Sequence, residues 1–208
     1  MDWYERFVFD PLLDRGLDTE AMRRERAALL EGAIGRVLEV GPGTGLNFPH
    51  YPSMVRRLST ISPDARLSPR ALERAQSRYL ELSHSTTSGW KWPFRAASFD
   101  TVVCTLVLCT VPDQAAALAE VRRVLTPGGR FLVFEHVRAE NALHAACQHL
   151  ATPFSRVFAC GCRSNRRTRR AIEAAGFTWR KVEERRSDAL PWLVGTVLVG
   201  EAHAAAPR

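Results

Sequence analysis

Lysine is almost missing from this chain: of 29 basic side chains only Lys91 and Lys181 are lysines, so the formal charge of +7 is carried by arginine. Net charge speaks to association rather than to fold. The densest basic cluster, Arg163, Arg166, Arg167, Arg169 and Arg170, lacks the interleaved aromatics of a base-stacking surface. It reads as a solvated helix start beside Glu173, and nucleic acid is disfavoured as a partner. A secretory apolar core is also missing, as is any run of about 18 apolar residues, so neither export nor a membrane span is supported. The five cysteines, 104, 109, 147, 160 and 162, form no paired framework. Cys160-Gly161-Cys162 is tighter than the usual CxxC spacing and no second pair completes a zinc set, so no metal site is expected. Free thiols suit a reducing, cytoplasmic location. With no internal repeat, 208 residues and 46% hydrophobic content, the chain fits a single domain over residues 1–208.

What is present is concentrated in Glu39-Val40-Gly41-Pro42-Gly43-Thr44-Gly45. The run Arg36 to Val40 is short and β-rich, and the alternate glycines let the backbone turn and approach a ligand closely. A dinucleotide fingerprint is GxGxxG, whereas here the third glycine comes one residue early and Leu46 takes its place. Glu39 at the strand end repels a pyrophosphate and attracts a cation, such as an ammonium or a sulfonium. S-adenosylmethionine carries both. A glycine-rich turn without a ligand is the competing reading.

Around that loop, strands alternate with helices. Two amphipathic helices, Trp3 to Phe9 and Asp18 to Gly32, precede the first strand as a cover over residues 1–33, ahead of a core over 34–208. The aromatic first helix is also a candidate for peripheral membrane contact. Strands are predicted at Arg57 to Ser62, Ser98 to Leu106, Arg130 to Val137, Phe177 to Arg185 and Leu193 to Glu201, with an uncertain third strand between Arg78 and Trp90. Helices are predicted from Pro69 to about Glu81, from Asp113 to before Pro127, from Ala142 to Leu150 and from Thr168 to Ala175. This order gives an α/β fold, a doubly wound, Rossmann-like, mostly parallel seven-stranded sheet ending in an antiparallel hairpin, with the ligand at the carboxyl ends of the first strands.

Four blocks, VLEVGPGTG (Val37 to Gly45), PFRAASFDTVVCTLVLCTV (Pro93 to Val111), EVRRVLTPGGRFLVFEHV (Glu120 to Val137) and GCRSNRRT followed by EAAGF, resemble class I S-adenosylmethionine-dependent methyltransferases of the small-molecule, type 11 kind. The CTLVLC run, the NFPHYP block and the GC motif at Cys162 are further similar to methyltransferase-like proteins that methylate small alkyl thiols, and to their bacterial relatives. The resemblance implies S-adenosylmethionine as cofactor, with Glu39 holding its amino group and Gly41, Gly43, Gly45 and Leu106 lining it. It also implies acidic residues for the ribose and adenine. Those positions carry Ser62 and Ser88, so a binding protein with weakened cofactor affinity is the alternative to an enzyme. Asp64, Trp90 and Trp92 are candidate substitutes there.

Glu135 and His136, ending the strand after Gly129, are the candidate catalytic groups facing the acceptor, with His136 suited to accept a proton. A structural histidine is an equal reading. Cys109 reads better as a small buried hydrophobe than as a substrate contact. Acceptor-site lining is expected from the opening helices and from Phe154 to Arg163. A small hydrophobic acceptor, a thiol ahead of a quinone, phenol or amine, is the expected partner.

Overall fold

The computed structural model describes residues 10–87, 91–159 and 161–204. Among them seven strands, β1 (Val37–Val40), β2 (Arg57–Ser62), β3 (Glu81–Thr86), β4 (Phe99–Thr105), β5 (Leu125–His136), β6 (Phe177–Arg186) and β7 (Thr196–Ala204), form one sheet in the order β3-β2-β1-β4-β5-β7-β6. Neighbours are parallel except β7, which runs antiparallel to both β5 and β6. The helices are α1 (Asp10–Leu17), α2 (Glu20–Leu30), α3 (Pro69–Ser77), α4 (Gln114–Val124), α5 (Ala142–Phe158) and α6 (Thr168–Ala174). None is long and apolar enough to cross a membrane.

The sheet is buried on both faces, so its central strands are apolar without alternation. The pleat then divides each strand between two cores. Val102 and Cys104 of β4 and Phe131 and Val133 of β5 pack with Leu118, Val121 and Ile172 from α4 and α6. Val103, Leu132 and Phe134 pack on the opposite face with Met22 and Leu30 of α2 and Ala71 and Ala75 of α3. Each large aliphatic side chain so buried contributes roughly 1.5–3 kcal/mol. The order of the sheet reverses at β1 and β4, which opens a crevice at their carboxyl ends.

Thr19 caps α2 by accepting from the Met22 amide, and Ser68 and Asp113 do the same for α3 and α4. Several predicted boundaries move: β5 begins at Leu125 rather than Arg130, β7 spans Thr196–Ala204 rather than Leu193 to Glu201, and α1 is a helix not expected from the sequence. The helix expected to run to Glu81 stops at Ser77, because Tyr79 has a φ of 51° and starts a new turn. Glu81 instead begins β3, the strand left uncertain, whose polar sequence fits a half-exposed edge. The helix predicted to end at Leu150 continues through Pro153 to Phe158. The Thr152 hydroxyl donates to the Gln148 carbonyl and the Ser155 hydroxyl to the Thr152 carbonyl, both on the N-terminal side of that proline. The aromatic helix predicted at Trp3 to Phe9 lies outside the described residues.

Candidate functional site

The crevice deepens into a cavity of about 800 Å³ walled by the glycine loop, the ends of β1, β2 and β4, and parts of α1, α2, α4 and α5. Leu17 of α1 and Arg26 of α2 contribute to its wall. Asp14 of α1 accepts from Thr44 Oγ1 in the loop at 2.5 Å and from Arg70 and Arg74 of α3, while Arg74 also donates to the Thr44 carbonyl at 2.6 Å. Helix α1, the loop and α3 are thereby tied together.

Two glycines are required for packing reasons. Gly41 has φ +64° and a Cβ there would lie 2.7 Å from Val107 Cγ2; Gly45 has φ +78° and a Cβ there would lie 2.8 Å from the Phe48 ring. Gly41 and Gly43 line the cavity, whereas Gly45 turns the chain behind its wall and is not among the lining residues. Leu106 lines it too, at φ 58°, with its N–H donating to the Phe134 carbonyl at 2.7 Å.

Glu39 is buried at the base of the loop, where Tyr51 Oη donates to Oε2 at 2.7 Å and Asn47 Nδ2 to Oε1 at 3.0 Å. Burial pushes its carboxyl up to about 7, against the pull of Tyr51, Asn47 and Arg26. Arg26 of α2 is also buried and lines the cavity. Burial lowers its guanidinium to about 10, which leaves it charged at neutral pH. Arg26 Nε and Nη1 and Asn47 Oδ1 are buried without a hydrogen-bond partner among the described residues. Such groups are costly unless something meets them. An amino-acid tail, with one ammonium and one carboxylate, matches an anion beside an unpaired cation, so this end of the cavity fits S-adenosylmethionine. Arg26, Asn47 and Tyr51 were not singled out from sequence, although Asn47 and Tyr51 both lie in the NFPHYP block.

Toward the ribose and adenine end, Ser62 lines the cavity with its Oγ accepting from the Asp64 amide at 3.2 Å. Asp64 and Thr87 line it as well, so a carboxylate stands two residues beyond Ser62. Ser88 and Trp90 fall outside the described residues. Trp92 belongs to the core and also lines the cavity.

At the far end the two candidate catalytic groups part company. Glu135 has no exposed surface and is not among the lining residues. Its carboxylate accepts the amides of Val107 at 2.8 Å, Leu108 at 2.7 Å and Cys109 at 3.0 Å. The expectation that it faces the acceptor is therefore corrected: it clamps the loop after β4. His136 does line the cavity, with Nδ1 3.5 Å from Cys162 Sγ and 3.9 Å from Cys109 Sγ. Cys109, read as a hydrophobe, lines the cavity too, and its Sγ is 3.9 Å from that of Cys162. The hydrogen bond shared with Cys109, together with His136 and Arg166, holds Cys162 below the usual thiol range, while Cys109 is raised. Of the segment Phe154 to Arg163, the small residues Ser155 and Ala159 and Cys162 line the cavity. The aromatics Phe154 and Phe158 point outward instead, because they share the exposed stripe of α5 with Leu150 and Val157. Cys160 is outside the described residues.

Comparisons with known proteins agree with this geometry. The family described as "Methyltransferase domain" matches residues 38–133. Human thiol S-methyltransferase TMT1A is 36% identical over 151 residues, covering 71% of this chain and 62% of that protein. Human thiol S-methyltransferase TMT1B is 36% identical over 180 residues, covering 83% of this chain and 73% of that protein. Among solved structures, the [4+2]-cyclase SpnF has a TM-score of 0.73 at 17% identity, over 98% of this chain and 94% of its own. A S-adenosylmethionine-dependent methyltransferase from Thermotoga maritima has a TM-score of 0.65 at 21% identity, over 97% and 98%. At such identities the structures speak for the fold alone, and a cyclase among them illustrates that a fold does not fix a reaction. With the sequence relatives, the sheet order and the loop in agreement, the chain belongs to the class I S-adenosylmethionine-dependent methyltransferases.

Proposed function

We propose that this protein methylates a small, hydrophobic thiol. The observation that carries the proposal is one continuous cavity, running from Glu39 and Arg26 to a cluster of two cysteines and a histidine. Apolar side chains such as Leu108, Val111, Val121 and Val194 form much of the wall near that cluster. The names of the two human relatives point to the same acceptor class.

When bound, S-adenosylmethionine supplies a methyl group on a sulfonium, and an in-line thiolate takes it while the electron pair of the breaking bond stays with the departing neutral thioether. Everything else falls to the chain. Glu39 and Arg26 orient the amino-acid tail through its ammonium and carboxylate. Asp64 offers the ribose hydroxyls a carboxylate in place of the one missing at Ser62. Glu135 holds the loop from Val107 to Cys109 so that this wall keeps its shape. The thiolate of the acceptor is the nucleophile, and His136 at this end of the cavity is placed to take its proton.

Isotope-labelled methyl transfer to a panel of small alkyl thiols, phenols, quinones and amines tests this reading. S-methylation of thiols ahead of the rest is expected; preference for an oxygen or nitrogen acceptor overturns it. Serine at position 62 motivates the alternative of a binding protein without turnover. Cofactor binding by calorimetry combined with no transfer to any acceptor would favour that alternative.

A further inference from the structure

We propose that Cys109, His136 and Cys162 form a zinc site with one coordination position open to the cavity, and that this position takes the sulfur of the acceptor thiol. The second half of the proposal rests on the thiol reading above; the first half stands on geometry alone.

Zinc bound tetrahedrally at about 2.3 Å to sulfur and about 2.0–2.1 Å to nitrogen sets ligand edges of about 3.8 Å between sulfurs and about 3.6 Å from sulfur to nitrogen. The observed edges are 3.9 Å between the two Sγ atoms, and 3.5 and 3.9 Å from them to His136 Nδ1. The three ligand atoms form a triangle of zinc size before any metal enters. All three residues are buried, and all three line the cavity, so the unfilled apex has a route for a ligand.

The backbone around the ligands is fixed. The Cys109 amide is held by Glu135 and its carbonyl accepts from the Arg163 amide at 2.9 Å. The Cys162 amide bonds the Ala159 carbonyl at 3.0 Å, and the Cys162 carbonyl accepts from Ser155 Oγ at 2.9 Å. Such support is what keeps a metal site in register. Two thiolates and one divalent cation sum to zero, which suits an apolar end of a cavity. His136 Nε2 has no acceptor among the described residues, so the usual outer partner of a zinc-bound histidine is missing.

Among the described residues three protein ligands meet there and no fourth, which is the arrangement of catalytic rather than structural zinc. A thiol entering that position forms a metal–sulfur bond and loses its proton to solvent, and its remaining lone pairs face the cavity. The local spacing around Cys160-Gly161-Cys162 hid this possibility, because the ligands come from the loop after β4, the end of β5 and the segment after α5.

The full chain, purified with a non-thiol reductant and no chelator, should carry about one zinc ion by elemental analysis. Cobalt reconstitution should give a thiolate charge-transfer band and four-coordinate ligand-field bands, which shift when a small alkyl thiol is added. Cys109→Ser, Cys162→Ser and His136→Ala should each lose these bands, and Cys147→Ser should keep them. If those variants misfold, alkylation of the wild-type protein serves: chelation should expose Cys109 and Cys162 while leaving Cys147 unchanged. No bound zinc or cobalt, a Cys109–Cys162 disulfide in the reduced preparation, or metal retained by the Cys162→Ser variant would overturn the site. Metal present with no spectral response to thiol removes the acceptor role. Thiol methylation by metal-free protein overturns the metal proposal and leaves the proposed function standing.

Discussion

Glu39 and Glu135 are nearly twins in position and opposites in use. Each stands toward the carboxyl end of a strand in the middle of the sheet, each has almost no exposed surface, and burial pushes each carboxyl up to about 7. Glu39 is met by two side chains and borders the cavity, beside a cation that lacks partners. Glu135 is consumed by three consecutive backbone amides. A carboxylate held by side chains retains room to respond to a ligand, whereas one held by backbone has become part of the fold. What separates the candidate binding residue from the scaffold residue here is the identity of its donors.

The comparison breaks most sharply on Glu135→Ala. Three buried amides lose their acceptor at about 1–3 kcal/mol each, partly recovered by loop rearrangement, so a loss on the order of 3–5 kcal/mol is expected in chemical denaturation. Glu39→Gln should behave differently, with little loss of stability in the empty protein and a cofactor dissociation constant raised roughly tenfold to a hundredfold by calorimetry. Equal destabilisation by the two variants would show that the distinction is false. Arg26→Met extends the test: removing a buried guanidinium with two unpartnered nitrogens should leave the empty protein as stable or more so, while weakening the cofactor by roughly tenfold. Asp64→Asn should have a smaller effect on the same measurement, confined to the ribose contact.

The sequence carried much of this fold because its signals were local. Arg57 to Ser62 coincides with β2, and Asp113 caps α4 as read. The strand β3 was faint because Glu-Leu-Ser-His-Ser-Thr is polar and half-exposed, with no buried face to announce it. The last two turns of α5 were missed because the helix runs on through Pro153 to Phe158. The glycine loop and Glu39 were legible for the same local reason. The other parts of the site were not, because Arg26, Glu135 and the Cys109–His136–Cys162 cluster draw their meaning from segments distant in the chain. Nothing along the sequence distinguishes a carboxylate that will meet three amides from one that will meet a ligand.

The smallest expected effect, and the finest test of the twinned carboxylates, is in the pH dependence of stability. In the unfolded chain each glutamate titrates near its ordinary value of 4.5, and in the folded protein near 7. Between those values the folded state holds protons that the unfolded state has lost, so the stability of the empty protein falls as pH rises from about 4.5 to about 7. Both residues contribute in the same window. Glu39→Gln removes one of the two glutamate contributions and should make the fall of unfolding free energy with pH less steep there. Bound cofactor should act on the Glu39 share alone, because an ammonium beside that carboxylate favours its ionised form and returns its titration toward the unfolded value. The slope of the loaded wild-type protein should therefore approach that of the empty Glu39→Gln variant, and a slope unchanged by cofactor would mean that the ammonium is held elsewhere.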